Sequence, residues 1–145
     1  MTSNLIPRWA VLTDIDFLRV TGHTHLPKIV LRRKIDWQEI AVVTMNGKLI
    51  GYIFLDYIWS SVPFIATIWV LEAYRGQGVG KALLQFIENE VSSHGQKILY
   101  SSSQADETAP QEWHRKMGFE ECGILAGHND GIGEIFFRKV LKHVI

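Results

Sequence analysis

Cysteine is nearly absent from this chain. Cys122 stands alone among 145 residues, which excludes any disulfide within the chain and suits a reducing, cytoplasmic setting. A charge excess of either sign is also missing: fifteen Lys and Arg face fifteen Asp and Glu. The basic surplus expected of a nucleic-acid binder is therefore not there. Long hydrophobic runs are lacking too. The most apolar stretches, around Ile50 to Trp59 and Phe64 to Leu71, fall far short of the roughly 20 residues that cross a bilayer. Met1-Thr2-Ser3-Asn4 has no charged start followed by an apolar stretch, so no signal peptide is expected. No repeat, low-complexity tract or linker interrupts the chain, which predicts one domain over residues 1–145.

What is present is ordinary globular composition, 47% apolar and 21% charged, with one unusual segment. Residues 70 to 81 read Val-Leu-Glu-Ala-Tyr-Arg-Gly-Gln-Gly-Val-Gly-Lys. They describe a strand that breaks into a glycine-rich turn and then feeds a helix. Gly76, Gly78 and Gly80 let backbone approach a ligand without Cβ obstruction. The following helix adds its unpaired N–H groups and the positive end of its dipole. Together these make an anion site, most naturally for phosphate or pyrophosphate. A single glycine is enough for a plain tight turn, so three alternating ones point beyond turn geometry.

Spacing separates the phosphate-binding motifs. A P-loop needs glycine at position 75 and a hydroxyl at 82; Arg75 and Ala82 stand there instead. A dinucleotide fingerprint needs glycine three residues after Gly78, where Lys81 stands. Arg75-Gly76-Gln77-Gly78-Val79-Gly80 instead resembles the Arg/Gln-x-x-Gly-x-Gly/Ala signature of the GNAT N-acetyltransferases. Downstream, Trp113-His114-Arg115-Lys116-Met117-Gly118-Phe119 is similar to that family's aromatic-Tyr-x-x-x-Gly-Phe helix end. Element order agrees from about residue 38 onward.

Periodicity and turn chemistry predict the rest. A short strand is expected at Trp9–Leu12, then a helix from Asp14 to Val20, capped by Thr13 and stopped at Gly22. Pro27 opens a second helix toward Asp36, with Leu26, Ile29, Val30 and Arg33 along one side. Arg32-Arg33-Lys34 reads as a solvated helix face. Asn46-Gly47 joins strands 40–45 and 49–59 as a hairpin, and Ser60 to Pro63 turns into strand 64–71, apolar on both faces and so expected to be covered on both. A helix from Gly78 to His94 carries Val79, Leu83, Leu84, Ile87 and Val91 inward and stops at Gly95. Strand 97–102, a helix 109–117 with a Thr108–Gln111 capping box, and an antiparallel pair at 119–126 and 133–141 complete the chain. The expected fold is α+β, the GNAT acyl-CoA N-acyltransferase fold: a mixed, mostly antiparallel sheet of six to seven strands with helices on both faces.

The resemblance implies acetyl-CoA as co-substrate and a primary amine of a small molecule or peptide as acceptor, in a monomer or homodimer without a metal. Pyrophosphate would sit on the amides of Gly76, Gln77, Gly78, Val79, Gly80 and Lys81, with Arg75 in the same cofactor-binding bend, and pantetheine would run past Val70, the end of a strand that splays from its neighbour in this family. Many members use a tyrosine on the late helix as the acid; His114 occupies that place here and is the candidate to protonate the coenzyme A sulfur. The bland reading makes it a surface or coenzyme-contacting histidine. The family's usual strand glutamate has no counterpart, which leaves Asp56 as a water-mediated base or a solvated strand-end group. A non-catalytic acyl-CoA-binding domain of the same fold is the alternative. His23-x-His25 lacks the partners of a metal site, Cys122 reads as a small strand hydrophobe, and Tyr52, Tyr57, Trp59 and Phe64 as core or pocket aromatics.

Overall fold

The structure, a computed structural model, describes residues 4–21 and 25–142. In chain order the elements are β1 (Leu5–Trp9), α1 (Ile15–Val20), α2 (Lys28–Asp36), β2 (Ile40–Met45), β3 (Lys48–Ile58), β4 (Val62–Val70), α3 (Val79–Ser93), β5 (Ile98–Gln104), α4 (Thr108–Lys116), β6 (Glu120–Leu125) and β7 (Glu134–Val140). The strands are hydrogen-bonded in the order β1-β2-β3-β4-β5-β7-β6. The β4–β5 ladder is parallel, at Phe64↔Tyr100 and Ile65↔Ser101. The β1–β2, β2–β3, β5–β7 and β6–β7 ladders are antiparallel. This is the mixed, mostly antiparallel α+β sheet that the sequence predicts.

The residues group into two compact units, Met1–Leu55 with Thr67–Ile87 and Asp56–Ala66 with Glu88–Ile145. The core of the first collects Leu18, Leu31, Ile40, Val42, Tyr52 and Phe54. Burying each such side chain contributes roughly 1.5–3 kcal/mol. Tyr52 organises the aromatics, stacking on Trp69 at 5.4 Å and meeting Phe54 at 5.1 Å. The β2–β3 hairpin turns on Asn46 (φ 50°) and Gly47 (φ 83°), the positive pair that such a two-residue turn demands.

Three expectations for this unit need correction. β1 lies at Leu5–Trp9 rather than Trp9–Leu12; as an edge strand it tolerates Pro7, which has no N–H to give. The first helix begins at Ile15, after a tight turn over Leu12–Asp14, and Thr13 does not cap it. Asp14 organises the turn instead, accepting the Val11 amide at 2.8 Å and the Arg8 guanidinium at 2.7 and 3.0 Å. The expected stop, Gly22, lies outside the described residues. In α2 the inward face is Leu31, Lys34 and Ile35, while Ile29 is 76% exposed. Lys34 is thus not part of a solvated face: its ammonium donates to the Leu55 carbonyl at 2.7 Å and pairs with Glu39 at 3.3 Å.

In the second unit β5 alternates strictly, with Leu99, Ser101 and Ser103 buried. Gly95 (φ +88°) follows α3 as a C-terminal stop; along that helix Val91 of this unit and Val79, Leu83, Leu84 and Ile87 of the first are buried as expected. The capping box of α4 is not formed. Thr108 sits inside the helix, Glu107 precedes it without a side-chain cap, and Gln111 donates to the carbonyl of Ala105 at 2.9 Å. Cys122 is exposed on β6, an edge strand whose six residues all face solvent. β4 is not sealed on both sides either: Ile65 and Pro63 are buried, Ala66 is exposed and Ile68, Trp69 and Val70 are half-buried.

Candidate active site

The glycine segment forms as a sequence of local choices. β4 ends at Val70, and Leu71 donates its N–H to the Ile50 carbonyl at 2.8 Å. A single tight turn over Glu72–Tyr74 follows, closed by Tyr74 N–H to Leu71 O at 2.9 Å and Arg75 N–H to Glu72 O at 3.2 Å. Two side chains brace the bend. Arg75 Nε donates to the Val70 carbonyl at 2.9 Å, and Gln77 Nε2 donates to the Ala73 carbonyl at 3.2 Å. Gly76 (φ +75°) and Gly78 (φ +83°) take the left-handed conformation on either side of Gln77, and both open onto empty space. Val79, buried at the start of α3, anchors the far end.

The consequence is a row of donors. The first α3 bond runs from the Ala82 amide to the Gly78 carbonyl at 3.0 Å, and the amides of Gly76 through Lys81 have no acceptor among the described residues. Backbone N–H groups left this way want an acceptor from outside. The α3 dipole adds positive potential at the same point. Gly51 makes room beside this strand end: a Cβ there would lie 2.9 Å from the Trp69 carbonyl oxygen.

His114 lies in the second unit and is buried, 3% exposed. Its Nδ1 is 2.7 Å from the Pro110 carbonyl, which can only accept, so that nitrogen carries the proton. Nε2 then accepts from Ser101 Oγ at 2.7 Å. Phe137 stacks on the ring at 4.6 Å and 2°. Burial pushes the imidazole pKa below its usual value; the Pro110 bond and the charge of Glu134 oppose this without reversing it. Both ring nitrogens are engaged, and burial disfavours the charged imidazolium. Asp56 is exposed near the end of β3, and Val70 ends β4 with its carbonyl held by Arg75. His25 is exposed, His23 lies outside the described residues, and no metal-holding cluster occurs among the described residues.

Residues 10–119 match the Acetyltransferase (GNAT) family. The chain belongs to that family. Other proteins are similar to it in sequence or in shape. An uncharacterized N-acetyltransferase of Methanocaldococcus jannaschii is 28% identical over 65% of this chain and 44% of its own length. Aminoglycoside N(6')-acetyltransferase type 1 of Salmonella typhimurium is 32% identical over 55% of this chain and 49% of its own. The chain thus spans about half the length of these curated relatives. Among solved structures, Ard1 from Thermoplasma volcanium superposes with a TM-score of 0.81 at 17% identity, covering 95% of this chain and 98% of that one. The ribosomal-protein-S18-alanine N-acetyltransferase of Escherichia coli gives 0.78 at 18% identity, over 97% and 96%. A Bacillus anthracis acetyltransferase, solved in complex with acetyl coenzyme A, gives 0.66 at 22%, over 71% and 62%. No described helix is long and apolar enough to cross a membrane.

The residues that sequence reasoning missed are Ser101, the Pro110 carbonyl and Lys34. Ser101-Ser102-Ser103, a polar run inside a strand, was the available signal: a buried hydroxyl needs a partner, and Ser101 finds it in His114.

Proposed function

We propose that this chain is an acetyl-CoA-dependent N-acetyltransferase that moves the acetyl group directly onto a primary amine of a small molecule or peptide. The observation that carries the reading is the row of unsatisfied amides from Gly76 to Lys81 at the start of α3. Each N–H bond to a charged phosphate oxygen is worth roughly 1.5–3 kcal/mol, so a handful suffices to hold a pyrophosphate. Arg75 shapes the strand end through Val70 while pantetheine runs beside it, and Lys81 adds charge. Relatives named for an aminoglycoside and for a ribosomal-protein alanine represent the two acceptor classes.

In the reaction the neutral amine's lone pair attacks the thioester carbonyl, the C–S bond of the tetrahedral adduct breaks, the attacking nitrogen gives up a proton to water, and the departing thiolate takes one up from water, so the protons balance. Asp56 is our candidate for taking the ammonium's proton through water. His114 enters as a positioning residue. An acid must carry a proton that it can give away, and burial disfavours the charged ring while the Nδ1 proton is held by the Pro110 carbonyl; its two bonds fix α4 against β5 instead. His114→Gln tests the assignment. A positioning role predicts altered KM and stability with an unchanged pH profile, whereas loss of the alkaline limb of kcat, where an acid gives up its proton, would return the acid role to it.

The function itself is tested by chromatography of free coenzyme A released from acetyl-CoA across an amine library, with calorimetric binding of acetyl-CoA alongside. Amine-dependent release is expected. Binding without release for any amine would favour the non-catalytic acyl-CoA-binding alternative, and no binding would overturn the reading altogether.

A further inference from the structure

The second unit contains a concavity of about 510 Å³ whose lining includes no residue of the glycine segment. It opens where β4 begins, at Val62, whereas the glycine segment follows that strand's last residue. Ile58, Val62, Ile98 and Phe136 make its apolar wall. Phe136 is fixed by stacking on Phe64 at 5.5 Å and 19°. The rim is tied together: Gln96 Nε2 donates to the Ser61 carbonyl at 2.9 Å, and Lys97 O accepts the Leu141 amide at 2.8 Å. At the mouth stands Trp59, 88% exposed, on a two-residue turn with φ 53° at Trp59 and 62° at Ser60. Asparagine or glycine normally fills such a turn. Here it holds a large apolar ring in water beside an apolar hollow.

The lining says what would fit. Its volume falls within the roughly 300–1,000 Å³ of small-molecule pockets. Its ten residues are far fewer than the about 20–30 that a stable protein partner engages on each side. Lys97 is the one charged residue of the lining. We propose that this cavity binds a small aromatic carboxylate, its ring between Trp59 and the Phe136 wall and its anion on Lys97. The proposal uses none of the residues assigned to acetyl transfer, so its test stands whether or not the donor reading holds.

The chain's sole cysteine supplies the readout, because Cys122 is part of the lining. Naphthalene-2-carboxylate is titrated against the rate of Cys122 alkylation by iodoacetamide, followed by mass spectrometry. At ten times the Kd, alkylation is expected to slow about tenfold. The neutral 2-naphthamide should protect far less, and Lys97→Met should erase the difference between them. Trp59→Asn, which suits the turn's backbone, should weaken protection while circular dichroism confirms the fold. The proposal is overturned if alkylation is the same with and without the carboxylate, or if Lys97→Met leaves protection intact. Protection that follows protein concentration instead of the carboxylate would give the face to a second copy of the chain, and would overturn it equally.

Discussion

Asp14 shows how one side chain can shape an element that local propensity describes wrongly. Burial pushes its carboxyl pKa up, but the Arg8 fork, the Val11 amide and the Arg8 charge outweigh burial and hold it below the ordinary value. A carboxylate lowered in this way stabilises the fold above its unfolded pKa of about 3.9, and that stability is lost as pH falls through the lower folded value. Asp14→Asn should therefore cost about 1–3 kcal/mol at neutral pH, with the deficit shrinking in acid, as urea melts across pH would record. His114 adds a second acid-sensitive term. Its lowered pKa means that the unfolded chain binds the proton more readily, so stability falls as pH drops below about 6.5. His114→Gln should flatten that part of the curve only. At the donor loop, Gly78→Val forces a β-branched residue to φ +83°, at a cost of more than the roughly 1–2 kcal/mol of an ordinary left-handed residue. Calorimetry should find acetyl-CoA binding lost, with the melting temperature lowered by only a few degrees.

Between elements, Gly51 is the tightest constraint. Gly51→Ala places a methyl 2.9 Å from a backbone oxygen that cannot turn aside, so β3 must shift and stability should fall by about 1–3 kcal/mol. A denaturant midpoint measures it directly. The glycine bend and the Asn46-Gly47 hairpin were legible in the sequence because their demands are local: positive φ is written in the residue type. The stripe on α3 was legible because five apolar residues repeat along one face. The inward side of α2 was not. Its buried Lys34 looks like a solvent residue until the Leu55 carbonyl and Glu39 are known to face it, and that knowledge comes only from tertiary structure. Ser101 and His114 pose the same difficulty, thirteen residues apart in sequence and 2.7 Å apart in space.

At the scale of the whole chain, balanced charge has a practical effect. Fifteen acids against fifteen bases leave little mutual repulsion near neutral pH. Solubility should be lowest there, and Gln85→Glu with Asn89→Glu, both on exposed α3 positions, should raise it without moving the melting temperature; polyethylene-glycol precipitation tests this. The fold is far better preserved than the residues that build it, with a TM-score of 0.81 at 17% identity. The amides from Gly76 to Lys81 suggest one reason. A donor row made of peptide groups has no alphabet, so side chains can drift through generations while the N–H groups it offers stay chemically the same. Inheritance then acts on the path of the main chain, and two glycines suffice to keep that path open.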